Sequence, residues 1–391
     1  MNSQNTPVHI RLWHRDFWLM AIANFLLTMS VYLLVPTLPH WLLTEQKFSP
    51  VETGVAMASF GFGLFALGMF VSFLVQHYRR NQVCVGAVIA VGALIGLLYY
   101  LNGQRTLFCD LQMIILQRFA LGAAFGLAQM VLTSTLIIDT SESFQRTEAN
   151  HSAAWFSRFA LSLGPMAGLL LERLVSYHVV LLAAMGCAAV VAVLILLVHF
   201  PFRAPEDDVP TVSLDRFFLP HGFPLFVNLQ LIMIAMGILF STITTELFYG
   251  MMMMGFLGAL LAQRFVFRNA ELKSEVVTGL ILITAALLMM LTRTQQIVYF
   301  AAPAFVGFGL GLIGSRFLLF FIKLSRHCQR GTSQSTFLLG WESGIAWGLG
   351  LGYALFYAQP QQGLLTALVL IVASLVAYNF THNWFTCHKN R

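Results

Sequence analysis

The 391-residue sequence predicts an all-α membrane protein, with about twelve transmembrane helices in two pseudo-symmetric six-helix bundles. The first observation is a dozen separate apolar stretches, each near the ~20 residues that cover a ~30 Å hydrocarbon layer at about 1.5 Å per residue. The second is composition: 58% hydrophobic, 10% charged and a mean hydropathy of +0.77, more apolar surface than a water-soluble core absorbs. The third is the polar interruption from Pro201 to His221, which carries Pro201, Pro205, Pro210, Pro220 and the run Glu206, Asp207, Asp208. It leaves six stretches on each side, giving an N-terminal half (1–200), a linker (201–222) and a C-terminal half (223–391).

The spans follow in order from hydropathy alone. A polar start with His9, Arg11, His14 and Arg15 runs into the first span, 16–40, which is too long for a signal-peptide core and lacks a small-residue cleavage site. The N-terminus is expected to be retained. Spans at 51–75, 83–101, 111–138, 149–171 and 177–199 complete the first half. After the linker come 223–243, 246–263, 276–292, 297–322, 332–357 and 363–385.

An even number of crossings puts both termini on one side. The connections on that side carry fifteen Lys and Arg, among them Arg79, Arg80, Arg146, Arg203, Arg264, Arg268, Lys323, Arg330 and Arg391, while the opposite connections carry Lys47, Arg105, Arg173 and Arg293. The positive-inside rule places both termini in the cytoplasm of a cell (inner) membrane protein. The net charge of +6 is accounted for by this orientation and calls for no nucleic-acid partner. The five cysteines (84, 109, 187, 328, 387) form no CxxC pair or His/Cys cluster, so neither a metal nor another cofactor is expected.

Glycines recur at nearly constant offsets, as parallel duplication predicts. Gly63, Gly68 and Gln76 align with Gly250, Gly255 and Gln263 at 187; Gly122 and Gly126 with Gly307 and Gly311 at 185; Gly164 and Gly168 with Gly348 and Gly352 at 184. Glycine at such positions lets helices approach closely.

Two six-span halves, the linker and the run Leu163-Gly164-Pro165-Met166-Ala167-Gly168 in the fifth span resemble the major facilitator superfamily. A GxxxGPxxGG signature in that span marks many of its proton-coupled exporters; Ala160 and Leu169 replace the outer glycines here, so only the GPxxG core matches. Arg118 followed by Gly122 in the fourth span also resembles the family, although Leu121 stands where a polar residue is usual. The family's GxLaDrxGRr loop is degraded to Ser72–Arg80: Arg80 aligns, but Gln76 occupies the acidic position. The resemblance implies alternating access by rocking halves, with Arg118 in proton coupling. It also implies that Asn24 and Gln129 lie on cavity-lining helices, where either can serve instead as interhelical glue.

Four ionisable residues fall well inside spans: Arg118, Arg158, Arg316 and Glu342. Each costs about 2.5–3.5 kcal/mol at a lipid-facing helix centre, so they should face the bundle interior. Glu342, the only acid placed so deep, is a candidate proton carrier: burial disfavours its charged form and a nearby guanidinium favours it. A permanently ionised partner of an arginine is the alternative. Arg158 stands at the 184 offset from Glu342 and is expected across the seam from it, either binding an acidic substrate group or pairing with Glu342. Arg316 competes for the same partner. Arg118 has backbone carbonyls as its alternative to a coupling role. Pro165 removes a backbone donor and is expected to bend its helix.

The expectation is therefore a secondary active transporter of a small organic solute, not an enzyme, coupled to protons, exporting, and monomeric in its functional unit. An uptake symporter uses the same acid. A membrane enzyme would need a nucleophile and base or a metal cluster, and a receptor a longer cytoplasmic domain. Reporter fusions along the chain should map twelve crossings with a cytoplasmic C-terminus; an odd count would overturn the arrangement.

Overall fold

The computed structural model describes residues 11–103, 110–142, 144–200, 209–267, 270–326 and 329–389. Among them are twelve long helices and no strand: α1 (Arg15–Thr44), α2 (Pro50–His77), α3 (Arg80–Asn102), α4 (Leu111–Asp139), α5 (Arg146–Leu174), α6 (Tyr177–Leu196), α7 (Pro220–Ser241), α8 (Glu246–Phe265), α9 (Leu272–Thr292), α10 (Gln296–Leu324), α11 (Arg330–Phe356) and α12 (Pro360–His388). Eleven are long and apolar enough to cross a membrane on their own account. α11 is the other: Thr332, Ser333, Gln334, Ser335 and Thr336 are all buried, and protein rather than lipid surrounds its polar first turns. The candidate sites His9, Arg105, Cys109, Arg203, Arg268, Cys328 and Arg391, and linker residues 201–208, lie outside the described residues.

Local chemistry sets several boundaries and breaks. α2 opens on a capping box, with Ser49 Oγ accepting from the Glu52 N–H and the Glu52 carboxylate accepting from the Ser49 N–H at 2.8 Å, and Pro50 fits the first turn, where no N–H is needed. α1 is interrupted at Leu33, because Pro36 has no N–H to give the Tyr32 carbonyl. α4 carries one π turn, Leu132–Leu136, just beyond Gln129. α5 runs unbroken through Pro165.

Close approach is built where the glycines lie. A Cβ on Gly122 of α4 would stand 2.2 Å from the Phe60 carbonyl oxygen of α2, and one on Gly63 would stand 2.1 Å from that of Phe119. The same contact in the last six helices joins Gly255 of α8 to Ala304 and Gly307 of α10 to Met252. Gly63 is therefore the counterpart of Gly255, at an offset of 192, and the sequence alignment of Gly63 with Gly250 is corrected. The short 3-10 turn Gly68–Phe70 inside α2 sets Gly68 apart from this series. Gly68 packs instead on the Phe217 ring.

The first and last six helices meet mainly along α2 with α11 and α5 with α8. The segment before α7 straps both sets at the face that carries the termini. Ser213 donates its N–H to the Met69 carbonyl of α2, Asp215 accepts from Ser72 of α2 at 3.4 Å and from Thr332 of α11 at 3.0 Å, and Leu219 donates to Thr336 Oγ1 at 2.8 Å. Arg216 takes a left-handed backbone (φ 59°) to make this turn.

Gly122→Leu should force α2 and α4 apart and lower stability by about 1–3 kcal/mol, read as a fall in the thermal midpoint of the purified protein. Gly86→Ala, where a Cβ meets nothing within 4 Å, should leave the midpoint unchanged.

Candidate functional site at the seam

Glu342 lies on α11, 3% exposed, and its carboxylate is held by the other set of helices. Tyr32 of α1 donates its hydroxyl at 2.8 Å and Gln129 of α4 its amide at 3.3 Å. The α1 break puts Tyr32 there. Gly164 and Gly168 of α5 let that break pack close: a Cβ on Gly164 would lie 2.7 Å from the Tyr32 Cβ, and one on Gly168 would lie 2.4 Å from the Leu33 carbonyl oxygen. The GPxxG core thus seats α1, and α1 delivers the hydroxyl.

A cavity of about 20 Å³, the size of one water, lies beside this cluster between α1, α2, α4 and α11. Tyr32, Glu342 and Arg118 contribute its polar lining, and Val35, Met57 and Leu349 are among its apolar walls. Arg118 is 3% exposed, its guanidinium carbon stands 4.8 Å from the centre of the Phe60 ring, and Nε and Nη1 are buried without a hydrogen-bond partner. It makes no ion pair with Glu342, nor does it bond backbone carbonyls.

The remaining sequence candidates separate. Arg158 does not pair with Glu342: its Nη1 donates to Ser315 Oγ of α10 at 2.8 Å, its guanidinium stacks at 4.7 Å over Trp155, and Nε and Nη2 have no partner. Gly314 leaves the space that Arg158 and Trp341 fill, which turns the guanidinium toward α10. Arg316 does not compete for Glu342 either. It forms an ion pair with Glu275 of α9, which is fully buried and also accepts from Gln263 at 3.4 Å. Glu275 was missed because the hydropathy boundary fell at 276, one residue past it. Asn24 donates to the Ala153 carbonyl and to Ser157 Oγ, both on α5, which ties α1 to α5, while its Oδ1 is buried without a hydrogen-bond partner. Arg80 pairs with Asp139 at the end of α4.

The sequence matches the Major Facilitator Superfamily profile over residues 20–349, and the chain belongs to that family. It carries the family's transporter fold and is not an enzyme. No curated protein matches the sequence at a significant level. Solved structures share the fold at low identity. The POT family transporter PepTSo is 11% identical with a TM-score of 0.72, covering 97% of this chain and 100% of its own. The human organic anion transporter MFSD10 is 14% identical with a TM-score of 0.67, covering 92% and 98%. The nucleoside transporter NupG, in a mutant form, is 14% identical with a TM-score of 0.64, covering 93% and 99%.

Arg316→Leu should leave the Glu275 carboxylate buried without its cation and cost about 3–5 kcal/mol, measured as thermal stability in detergent. Adding Glu275→Gln to that variant should recover most of the loss; a double variant as unstable as the single one would refute the pairing.

Proposed function

We propose that the chain is a secondary active transporter that moves a small organic solute by rocking 1–200 against 223–391 about the linker 201–222, with Glu342 as its proton carrier. The observation that supports this most directly is that a buried carboxylate of one set is held, among the described residues, by neutral donors of the other. Hydrogen bonds to a charged acceptor contribute about 1.5–3 kcal/mol and neutral ones about 0.5–1.5. Protonation of Glu342 weakens two ties across the seam by a combined ~2 kcal/mol, a roughly thirty-fold shift in the balance between two arrangements. A proton is thereby linked to the rocking motion, and Arg118, in the same cavity, feels the change of charge.

On this reading the protein works in the cell (inner) membrane as a monomeric unit with both termini cytoplasmic, an orientation that the Lys and Arg distribution supports. Efflux by exchange with protons is the favoured direction, supported by the GPxxG core that seats Tyr32. Uptake by symport is the second reading. It is favoured by the unpaired Arg118 beside Glu342, which allows a negatively charged solute and a proton to bind together.

Glu342→Gln keeps a hydrogen-bonding side chain and removes the titration. In proteoliposomes this variant should retain solute exchange between the two sides while losing accumulation driven by an imposed pH gradient. Gradient-driven accumulation at the parent level would eliminate Glu342 as the carrier.

A further inference from the structure

We infer that the cavity beside Arg118 binds the anionic group of a small organic acid, so that the solute is an organic anion with an apolar body. This rests on the transporter reading above and adds the chemical class of the cargo.

A guanidinium stays charged in a protein, and burying it unpaired is unfavourable. Arg118 is buried, yet no carboxylate among the described residues pairs with it. Its Nε and Nη1 have no hydrogen-bond partner. The face of Phe60 at 4.8 Å compensates part of the charge and cannot accept hydrogen bonds as a carboxylate does. Glu342 lines the same cavity but is engaged by Tyr32 and Gln129. The cation that the site presents is therefore unmatched by the protein itself.

The charge count at the seam points the same way. Among the described residues, Arg118 and Arg158 are both buried there without an acid partner, against Glu342 as the acid, which leaves an excess of positive charge where water is scarce. A carboxylate matches the planar fork of a guanidinium, in hydrogen bonds stronger than those between neutral groups. Around it Val31, Val35, Met57, Ile345 and Leu349 offer only apolar surface, suited to a hydrocarbon or aromatic body. At about 20 Å³ the cavity admits the body of such a solute only as the two sets of helices part. The titratable and charged side chains lining this space are Tyr32 from α1, Arg118 from α4 and Glu342 from α11. The buried, unpartnered hydroxyl of Tyr177 on α6 is near enough to Arg118 to interact with it, but as a neutral donor and acceptor it does not balance the charge. An anion at Arg118 together with a proton on Glu342 adds no net charge to the cavity. On the efflux reading the same site takes the anion once Glu342 has given up its proton, so the anion assignment itself rests on Arg118 and not on the direction of transport.

The test uses the full-length protein in lipid nanodiscs and matched probes: benzoate and hexanoate against benzamide and hexanamide. The acids should raise the thermal midpoint by at least about 2 °C at millimolar concentration and the amides should not, a comparison that needs no variant. Arg118→Gln should abolish the response and Arg118→Lys should retain part of it, with each ligand-free midpoint reporting folding. Equal responses to acid and amide, no response to either acid, or a folded Arg118→Gln that responds as the parent does would overturn the assignment. Counterflow in parent proteoliposomes separates the two readings. Exchange of a neutral or cationic solute instead of the acids ends the anion assignment and leaves a transporter, whereas acids that bind without any flux support the site and remove the transport reading.

Discussion

Within the hydrocarbon layer a side-chain ion has no water to turn to, so its partner has to come from another helix, and the choice of partner decides which helices stay together. In this protein the ion pairs at buried or half-buried positions, Arg316 with Glu275 and Arg80 with Asp139, each join helices of one set. What crosses the seam at depth is hydrogen bonds: Tyr32 and Gln129 to Glu342, Arg158 to Ser315, and Ser162 to the Tyr249 carbonyl. Arg173 and Glu246 also cross, but Arg173 is exposed, and a pair of that kind is worth about 0–1 kcal/mol. Strong ties within sets and exchangeable ties between them suit two rigid bodies that move against each other.

Tyr32 shows how local rules assemble the seam. Pro36 breaks the α1 ladder at the turn that carries Tyr32, and a broken helix needs a neighbour that can follow it. Gly164 and Gly168 supply that neighbour, since a methyl at either position would collide with Tyr32 or Leu33. The position of the hydroxyl donor is therefore written in three residues of two helices, Pro36, Gly164 and Gly168. On the other side of the carboxylate, the π turn after Gln129 closes against α11, where a Cβ on Gly331 would lie 2.9 Å from the Ser134 carbonyl oxygen.

The crossings were legible because hydropathy is additive along the chain, and so were the glycine contacts of α5 and α11, whose spacing survives any rotation of the helix. Partners were not. Whether Arg158 meets Glu342 or Ser315 depends on the rotation of α5 and on the space at Gly314, neither of which is encoded locally. Glu275 fell one residue outside a hydropathy boundary, and Tyr32 was one of ten tyrosines in a chain where aromatics also serve lipid contact. The offset of 187 for α2 and α8 failed for a related reason. It aligned glycines by type, whereas the contact that defines equivalence is a backbone one, Gly63 to Phe119 and Gly255 to Ala304.

Asp215 had no sequence signal beyond its place in a polar connection, yet it binds α2 through Ser72 and α11 through Thr332 at the face of the termini. The Leu219 N–H to Thr336 anchors the same segment on α11, so Asp215 links α2 to the last set of helices on that face. The strap and the Glu342 cluster thus tie the two sets of helices together at different depths, one at the face of the termini and one within the bundle.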